Sequence, residues 1–219
     1  MILSSQAETV PEVKPTVLVI DDDQLLREAL GRLVRSVGLD AKLYASVPEF
    51  LDAGRPNAIS CLVLDVRLPG KSGLDFQRDL VAADIHLPIV FITGHGDIPM
   101  SVQAMKRGAI EFLTKPFRDQ DFLEAIELGL DRDRARREND QAVTSLRERF
   151  EALTSREREI MIEVARGHLS KQIAFNLGVS EATVKVHRSN MMRKMKADSL
   201  PELGLMADKL DLLSKAASS

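Results

Sequence analysis

Four short apolar runs in this sequence each end in a side chain that can do chemistry. TVLVI at 16–20 is followed by Asp21, Asp22 and Asp23, and CLVL at 61–64 ends in Asp65. PIVFI at 88–92 ends in Thr93, and IEFL at 110–113 is followed by Thr114, Lys115 and Pro116. Carboxylates brought together from two separate runs repel one another and need a cation, and a ligand set made only of oxygen suits Mg²⁺. An aspartate held beside Mg²⁺ can attack a phosphoryl group and become an aspartyl phosphate. A hydroxyl (Thr93) and an ammonium (Lys115) complete such a site, because both bind phosphate oxygens. A single strand-end aspartate is commonly just a turn former or helix cap. Three kinds of group (carboxylate, hydroxyl and ammonium) at four such ends point to a site.

The elements that must position these groups can be read from spacing. The apolar runs are short and do not alternate, as in parallel strands covered on both faces, and AKLY at 41–44 fits a further strand. Helical spacing lies between them: Leu25, Leu26, Ala29, Leu30, Leu33 and Val37 closed by Gly38, then Gly73 to Val81, then Ile98 to Met105. Five βα units over 16–128 predict a doubly wound α/β domain, in which ligands collect outside the carboxyl ends of the strands.

After this domain the pattern becomes helical. The tract DRDRARRENDQ at 131–141 has the composition of a solvated segment, but Val143, Leu146, Phe150 and Leu153 recur at helical spacing. We expect a disordered tail over 1–14, the phosphoacceptor domain over 15–130, a largely helical linker over 131–150 and an all-α domain over 151–219. Thr154 and Glu157 have capping-box spacing before Ile160, Met161 and Val164, with Gly167 closing that helix. Ser170 starts KQIAFNL, which Gly178 ends; Ser180 caps a third helix running towards Ala197, and Leu203 to Leu213 supplies a fourth.

Segment 170–196 therefore reads helix, glycine turn, helix. At about 100° per residue, Val184, Met191 and Met195 form one side of the second helix, with Ala182, Val186, Ser189 and Arg193 opposite. That outer face is small and hydrogen-bonding and fits a major groove, with Lys185, Arg188, Arg193 and Lys194 placed to meet phosphates. A solvated cationic helix would have the same charges; the preceding glycine-turn helix favours the nucleic-acid reading.

Bulk properties agree. The 219 residues carry a net charge of -3, unevenly spread: residues 15–130 hold 17 acids and 12 bases, residues 131–219 hold 14 acids and 17 bases. Residues 180–196 hold five bases against Glu181 alone. One cysteine, Cys61, excludes an internal disulfide framework and suits a reducing cytosol. The opening residues lack the features of a secretory signal, and no run reaches the ~18 apolar residues of a membrane span. A cytoplasmic location and no membrane partner are expected.

VIDDD at 19–23, LDVRLPGKSG at 64–73, ITGHGD at 92–97 and KPF at 115–117 resemble response-regulator receiver domains. The resemblance implies that Asp65 is the phosphoacceptor, that Asp22 and Asp65 are direct Mg²⁺ ligands, that Asp21 acts through metal-bound water, and that the Arg67 carbonyl is a further ligand. Thr93 and Lys115 would hold the phosphoryl group, Lys115-Pro116 would be cis, and Phe112 would be the switch aromatic, a position a plain core Phe would fill equally well. Lys71 stands where an apolar residue is usual in that family, putting an extra cation near the pocket mouth.

LTSRERE at 153–159, KQIAFNLGVSEATVKVHRSN at 171–190 and KMKADSLPEL at 194–203 resemble LuxR/NarL/FixJ-type output domains, and with GHGDIPM look most like the FixJ branch. By position, Lys185, Val186 and Ser189 would face base edges. Lys171, Ser180, Thr183, His187 and Arg188 would lie nearer the DNA backbone. His86, His95 and His168 have no clustered partners and read as solvent-facing or locally bonded. The resemblance implies a non-enzymatic transcription regulator whose partners are DNA, a sensor histidine kinase, RNA polymerase and, on phosphorylation, a second copy of the chain. Two other readings stay open. A phosphohydrolase forming an aspartyl phosphate would need Thr or Val at position 25, where this chain has Leu25. A pseudo-receiver acting only through partner binding would not need the full set Asp22, Asp65, Thr93 and Lys115.

Overall fold

The short apolar runs form strands because every residue of 16–20, 60–65 and 89–93 is buried. A computed structural model describes residues 14–94, 98–210 and 212. Its strands are β1 (Thr16–Ile20), β2 (Asp40–Tyr44), β3 (Ser60–Asp65), β4 (Ile89–Thr93) and β5 (Glu111–Thr114). All pair in parallel, in the order β2-β1-β3-β4-β5. Alternate residues of β1, β3 and β4 divide between the faces: Leu18, Ile20, Leu62, Leu64 and Phe91 enter one core, and Val17, Val19, Cys61, Val63, Val90 and Ile92 the other. Burial on both faces is why these strands read as unbroken apolar runs.

Helices α1 (Gln24–Ser36), α2 (Val47–Ala53), α3 (Gly73–Ala82) and α4 (Ile98–Lys106) connect the strands. Helix α2 has no counterpart in the sequence reading, because seven residues are too few for a periodic signal. Its local chemistry is nonetheless complete: Ser46 accepts from Glu49 N–H, proline occupies the first turn, and Val47 and Phe50 are buried.

Helix α5 (Asp119–Glu151) runs unbroken through the expected linker. Its first part buries Phe122, Ala125, Ile126 and Leu130 in the second core. At Gly129 an added Cβ would lie 2.4 Å from Cys61 Sγ, so this helix packs on the sheet at glycine distance. The chain divides into two compact units, one ending at Arg137 and the other beginning at Glu138. That division falls seven residues beyond the expected edge at 130. The tail expected over 1–14 lies, up to residue 13, outside the described residues.

The reason for the later edge is Asp133. It is fully buried (0% exposed) inside a tract whose composition suggests a solvated segment. Its carboxylate accepts from Ser60 N–H at 2.9 Å and pairs with Arg55 at 3.0 Å, Arg136 at 2.7 Å and Arg137 at 2.8 Å. Burial alone would raise its pKa. Hydrogen bonds from Arg136, Arg137 and Ser60 outweigh that and hold the carboxyl below its ordinary value of 3.8.

The second unit comprises the end of α5 with α6 (Ser155–Ala165), α7 (Ser170–Leu177), α8 (Glu181–Met195) and α9 (Leu200–Lys209). Leu146, Ile160, Met161, Ile173, Val184, Met191, Met195 and Leu203 form its core. The expected capping box is present: Thr154 accepts from Glu157 N–H and Glu157 accepts from Thr154 N–H. No helix among the described residues is long and apolar enough to cross a membrane.

Replacing Asp133 by Asn should remove roughly 3–5 kcal/mol of stability by leaving three guanidiniums without their buried counter-ion. Because the folded pKa is depressed, the wild-type contribution is present above the ordinary carboxylate value and fades as pH falls through the lower folded one. Urea unfolding followed from about pH 7 down to about pH 3 should therefore show a smaller acid loss in Asp133→Asn than in wild type; identical profiles would contradict this role.

Candidate functional site

The first site is built at the carboxyl ends of β1, β3, β4 and β5. The three consecutive aspartates after β1 have separate tasks. Asp23 is the N-cap of α1, accepting from Leu25 and Leu26 N–H at 2.9 and 3.1 Å. Asp21 is buried (0% exposed), while Asp22 is exposed. Asp65 ends β3 and is buried. Oxygens of Asp21, Asp22 and Asp65 all lie within 4.8 Å of one another.

Lys115, just past β5, reaches into this cluster. Its Nζ donates to Asp21 Oδ2 at 2.8 Å and to Asp65 Oδ2 at 2.7 Å. Two backbone donors orient the same carboxylates: Asp23 N–H to Asp21 Oδ1 at 2.8 Å and Arg67 N–H to Asp65 Oδ1 at 2.9 Å. Burial pushes the Asp21 carboxyl above its ordinary pKa, more than its bonds to Lys115 and Asp23 pull it down. For Lys115 the balance is reversed: burial would lower its pKa, but its bonds to Asp21 and Asp65 leave it raised. The two partners thus shift the same way; the geometry, an ammonium between two oxygens, supports the raised lysine, and the partly offset burial accounts for Asp21.

Thr93 is buried at the tip of β4, and its carbonyl accepts from Lys115 N–H at 2.8 Å. Lys115-Pro116 is cis. Phe112 is half-buried on β5 with its ring centroid 6.2 Å from that of Phe91. His95, with residues 96 and 97, lies outside the described residues.

The second site is the pair α7–α8. Gly178 closes α7 in the left-handed conformation (φ 65°), and Ser180 then caps α8 by accepting from Thr183 N–H at 3.1 Å. Val184, Met191 and Met195 are buried, whereas Ala182, Lys185, Val186, Ser189 and Arg193 are exposed, as the angular reading expects. Val186, an apolar residue, is 60% exposed on this face. Lys171 and Ser180 are exposed; Thr183, His187 and Arg188 are half-buried, and Arg188 donates to Ser170 Oγ at 2.8 Å.

Comparison with known proteins places both halves. Residues 17–127 match the family described as "Response regulator receiver domain", and residues 151–207 match "Bacterial regulatory proteins, luxR family". The chain is 50% identical over 204 residues to Nodulation protein W of Bradyrhizobium diazoefficiens, covering 93% of this chain and 90% of that one. It is 44% identical over 198 residues to Transcriptional regulatory protein FixJ of Azorhizobium caulinodans, covering 90% and 93%. The structure of response regulator StyR superposes with TM-score 0.79 at 48% identity, over 90% of this chain and 99% of that one. The chain belongs to the LuxR/FixJ family of response regulators. It is a transcription regulator of two-component signalling, with a receiver domain followed by a LuxR-type DNA-binding domain.

Receiver domains bind Mg²⁺ at an acidic pocket, and in this response regulator Asp21, Asp22 and Asp65 supply a cluster of hard oxygen donors that fits such an ion. Two departures from the sequence reading follow from packing. Lys71 does not offer its ammonium to the pocket mouth; it is paired with Asp79 of α3. Lys194, expected among phosphate contacts, is half-buried, and its Nζ bonds to the buried Glu157 at 2.7 Å. Of the remaining histidines, His86 pairs with Asp84 at 3.1 Å and His168 with Glu163 at 2.8 Å, so both are locally bonded.

Gly73 starts a helix and ends the LDVRLPGKSG motif, but its contact with the Asp65 backbone was not expected. An added Cβ there would lie 2.3 Å from the Asp65 backbone oxygen, and Gly73 N–H donates to the Val66 carbonyl at 3.0 Å. The first residue of α3 therefore rests directly against the backbone that carries Asp65. Its signal in the sequence was the glycine of KSG, eight residues after the aspartate. Gly73→Ala should force this backbone apart, lower the thermal midpoint by several degrees (about 1–3 kcal/mol by overpacking) and slow phosphoryl labelling from acetyl phosphate. A variant with unchanged midpoint and labelling rate would remove Gly73 from this role.

Proposed function

We propose that Asp65 is the phosphoacceptor of this response regulator and that its phosphorylation by a sensor histidine kinase controls DNA binding through α8. The single observation that carries the reading is the Lys115 ammonium bonded at once to Asp21 and Asp65, with Asp22 in reach of both.

An oxygen of Asp65 attacks the phosphorus of a phosphohistidine; the P–N bond breaks and the imidazole leaves with its electron pair. Asp65 is prepared for this because Lys115 and the Arg67 N–H fix both of its oxygens. Lys115, already between two carboxylates, offsets the charge that arrives with the phosphoryl group. Asp22, Asp65 and the Arg67 carbonyl would hold Mg²⁺ directly and Asp21 would act on it indirectly; the ion would supply charge neutralisation for the transfer. The Thr93 hydroxyl binds a phosphoryl oxygen. Its strand neighbour Phe91 packs against Phe112, so movement at the tip of β4 is passed to the β5 aromatic. The resulting change in surface favours pairing of two copies, which sets two DNA-binding domains on two half-sites.

On DNA, Lys185, Val186 and Ser189 meet base edges in the major groove. Lys171, Ser180, Thr183, His187, Arg188 and Arg193 lie along the backbone. RNA polymerase is the further partner through which transcription changes, and the cytoplasm, where chromosome and kinase output meet, is the site of action. The domain limits that serve this reading are a receiver over 15–130, a helical linker over 131–150 and a DNA-binding domain over 151–219.

Asp65→Asn should abolish Mg²⁺-dependent incorporation of labelled phosphate from acetyl phosphate, and stoichiometric labelling of that variant would overturn the assignment. Lys185→Ala should weaken binding to a duplex selected from a random pool by the wild-type protein about tenfold, the worth of one good base contact. Equal affinity at physiological salt would take Lys185 out of the interface.

A further inference from the structure

Lys194 has the sequence signature of a phosphate contact, a basic residue at the end of the recognition helix, but its surroundings argue for a different task. Its Nζ donates to Glu157 Oε2 at 2.7 Å and to the Ala152 carbonyl at 3.4 Å. Glu157 is 3% exposed, and the same Oε2 also accepts the Thr154 N–H at 2.8 Å in the capping box that starts α6. With Lys194 as its chief counter-charge, Glu157 has its carboxyl held below the ordinary range. Burial, which would raise it, is outweighed by bonds from Lys194 and Thr154. One residue further on, the Met195 carbonyl accepts from Arg149 of α5 at 3.4 Å. The carboxyl-terminal end of α8 is therefore fastened through Lys194 to the start of α6 and the turn before it, and through Arg149 to the end of α5. The amino-terminal half of α8 has a different kind of tie, the Arg188–Ser170 bond to α7. Lys185 and Val186 lie just before Arg188 and Ser189 just after it; all three are exposed, and Lys185 pairs with Glu181 of its own helix.

We propose that Lys194 is a positioning residue, and that its pair with Glu157 fixes the angle of α8 so that Lys185, Val186 and Ser189 meet base edges in register. The inference rests on the reading of α8 as the helix that enters the groove. It separates two effects that a lysine on a DNA-binding helix can have. A phosphate contact adds to affinity for every sequence and steepens the salt dependence by about one counter-ion. A positioning lysine leaves the salt slope unchanged and acts on discrimination between sequences. The two roles are opposite in what they predict for Glu157. Removing an acid from the neighbourhood of DNA should strengthen a phosphate contact, but should damage positioning.

The experiment uses the full chain treated with acetyl phosphate and Mg²⁺, a duplex selected from a random pool by that protein, and a scrambled duplex of the same composition. Affinities are measured over a range of salt for wild type, Lys194→Met, Glu157→Gln and the double variant, with thermal midpoints recorded for each. Lys194→Met keeps the aliphatic stem, and the double variant leaves no uncompensated buried charge. The expected result is an about tenfold loss of preference for the selected duplex in both single variants, no further loss in the double variant, unchanged affinity for the scrambled duplex, and an unchanged salt slope. Lys194→Arg, which retains the pair, should keep the preference. The proposal is overturned if Lys194→Met reduces the salt slope by about one while Glu157→Gln binds as well as wild type or better. It is equally overturned if both duplexes lose affinity in proportion to a drop in thermal midpoint, the mark of a purely structural pair. Lys185→Ala, run in parallel, tests the underlying reading: if it retains full preference for the selected duplex, α8 is not the reading helix, whatever Lys194 does.

Discussion

Two carboxylates from different strands, held together by one ammonium, are the interaction on which the first half of this protein depends. Asp21 and Asp65 lie at the tips of β1 and β3, and Lys115 bonds to both within 2.8 Å. Without the lysine, two buried carboxylates would face each other with no cation between them, and like charges so placed repel. With it, an ammonium lies between them, and Asp21, Asp22 and Asp65 form a compact oxygen cluster that fits a metal ion. The strand order β2-β1-β3-β4-β5 is the geometric condition for this. The chain starts at β1, turns outward to β2 and then returns past β1 to β3, so the crevice opens between the two strands that carry the carboxylates. Packing on both faces supports the tips: the strands cannot slide by one residue without exchanging Leu18, Leu62 and Phe91 with Val17, Val63 and Val90 between cores.

This pocket could be read from the sequence because its residues occupy the one place where a buried strand must become polar. An apolar run of five that ends in Asp, Thr or Lys marks both the element and the group it presents. The helix-turn-helix was legible for a similar reason. The core side of α8, Val184, Met191 and Met195, is set by angular spacing alone, and Gly178 supplies the left-handed closure of α7 that few other residues adopt at low cost.

What stayed hidden has one physical cause: a charged residue announces its sign but not its partner. The tract at 131–141 looks like a solvated segment, yet Asp133 within it is buried and draws Arg55 from about eighty positions earlier in the chain, together with Ser60 N–H. Lys194 looks like a phosphate ligand, yet it is bonded to Glu157 on another helix. Lys71 looks like an intruder at the pocket, yet Asp79 holds it on α3. Gly73 and Gly129 are the apolar version of the same gap. Each is small because of a neighbour outside its own helix, the Asp65 backbone for Gly73 and the Cys61 sulfur for Gly129, and helical spacing does not mark the approach. Helix α2 was missed for want of length, although Ser46, Glu49 and a proline in the first turn were all in place.

Asp21, Asp133 and Glu157 then belong to one design. Each is a carboxylate at or near zero exposure, and each is met by a backbone N–H and by at least one cation from elsewhere in the chain. A buried charge is costly alone and tolerable only when its partners arrive in the right geometry, so each site rejects packings that a purely apolar contact would accept. They stand where position matters most: in the acidic cluster at the strand ends, in the middle of α5 close to where the first unit ends, and at the start of α6, which holds the end of α8. In the first, on the proposed reading, the cation is shared with the chemistry, because Lys115 would also serve an incoming phosphoryl group. In the other two the cations are held by the fold. Lys115 could be placed in the acidic cluster from the sequence because it follows a strand end, whereas Lys194, equally charged, could only be placed by its contacts.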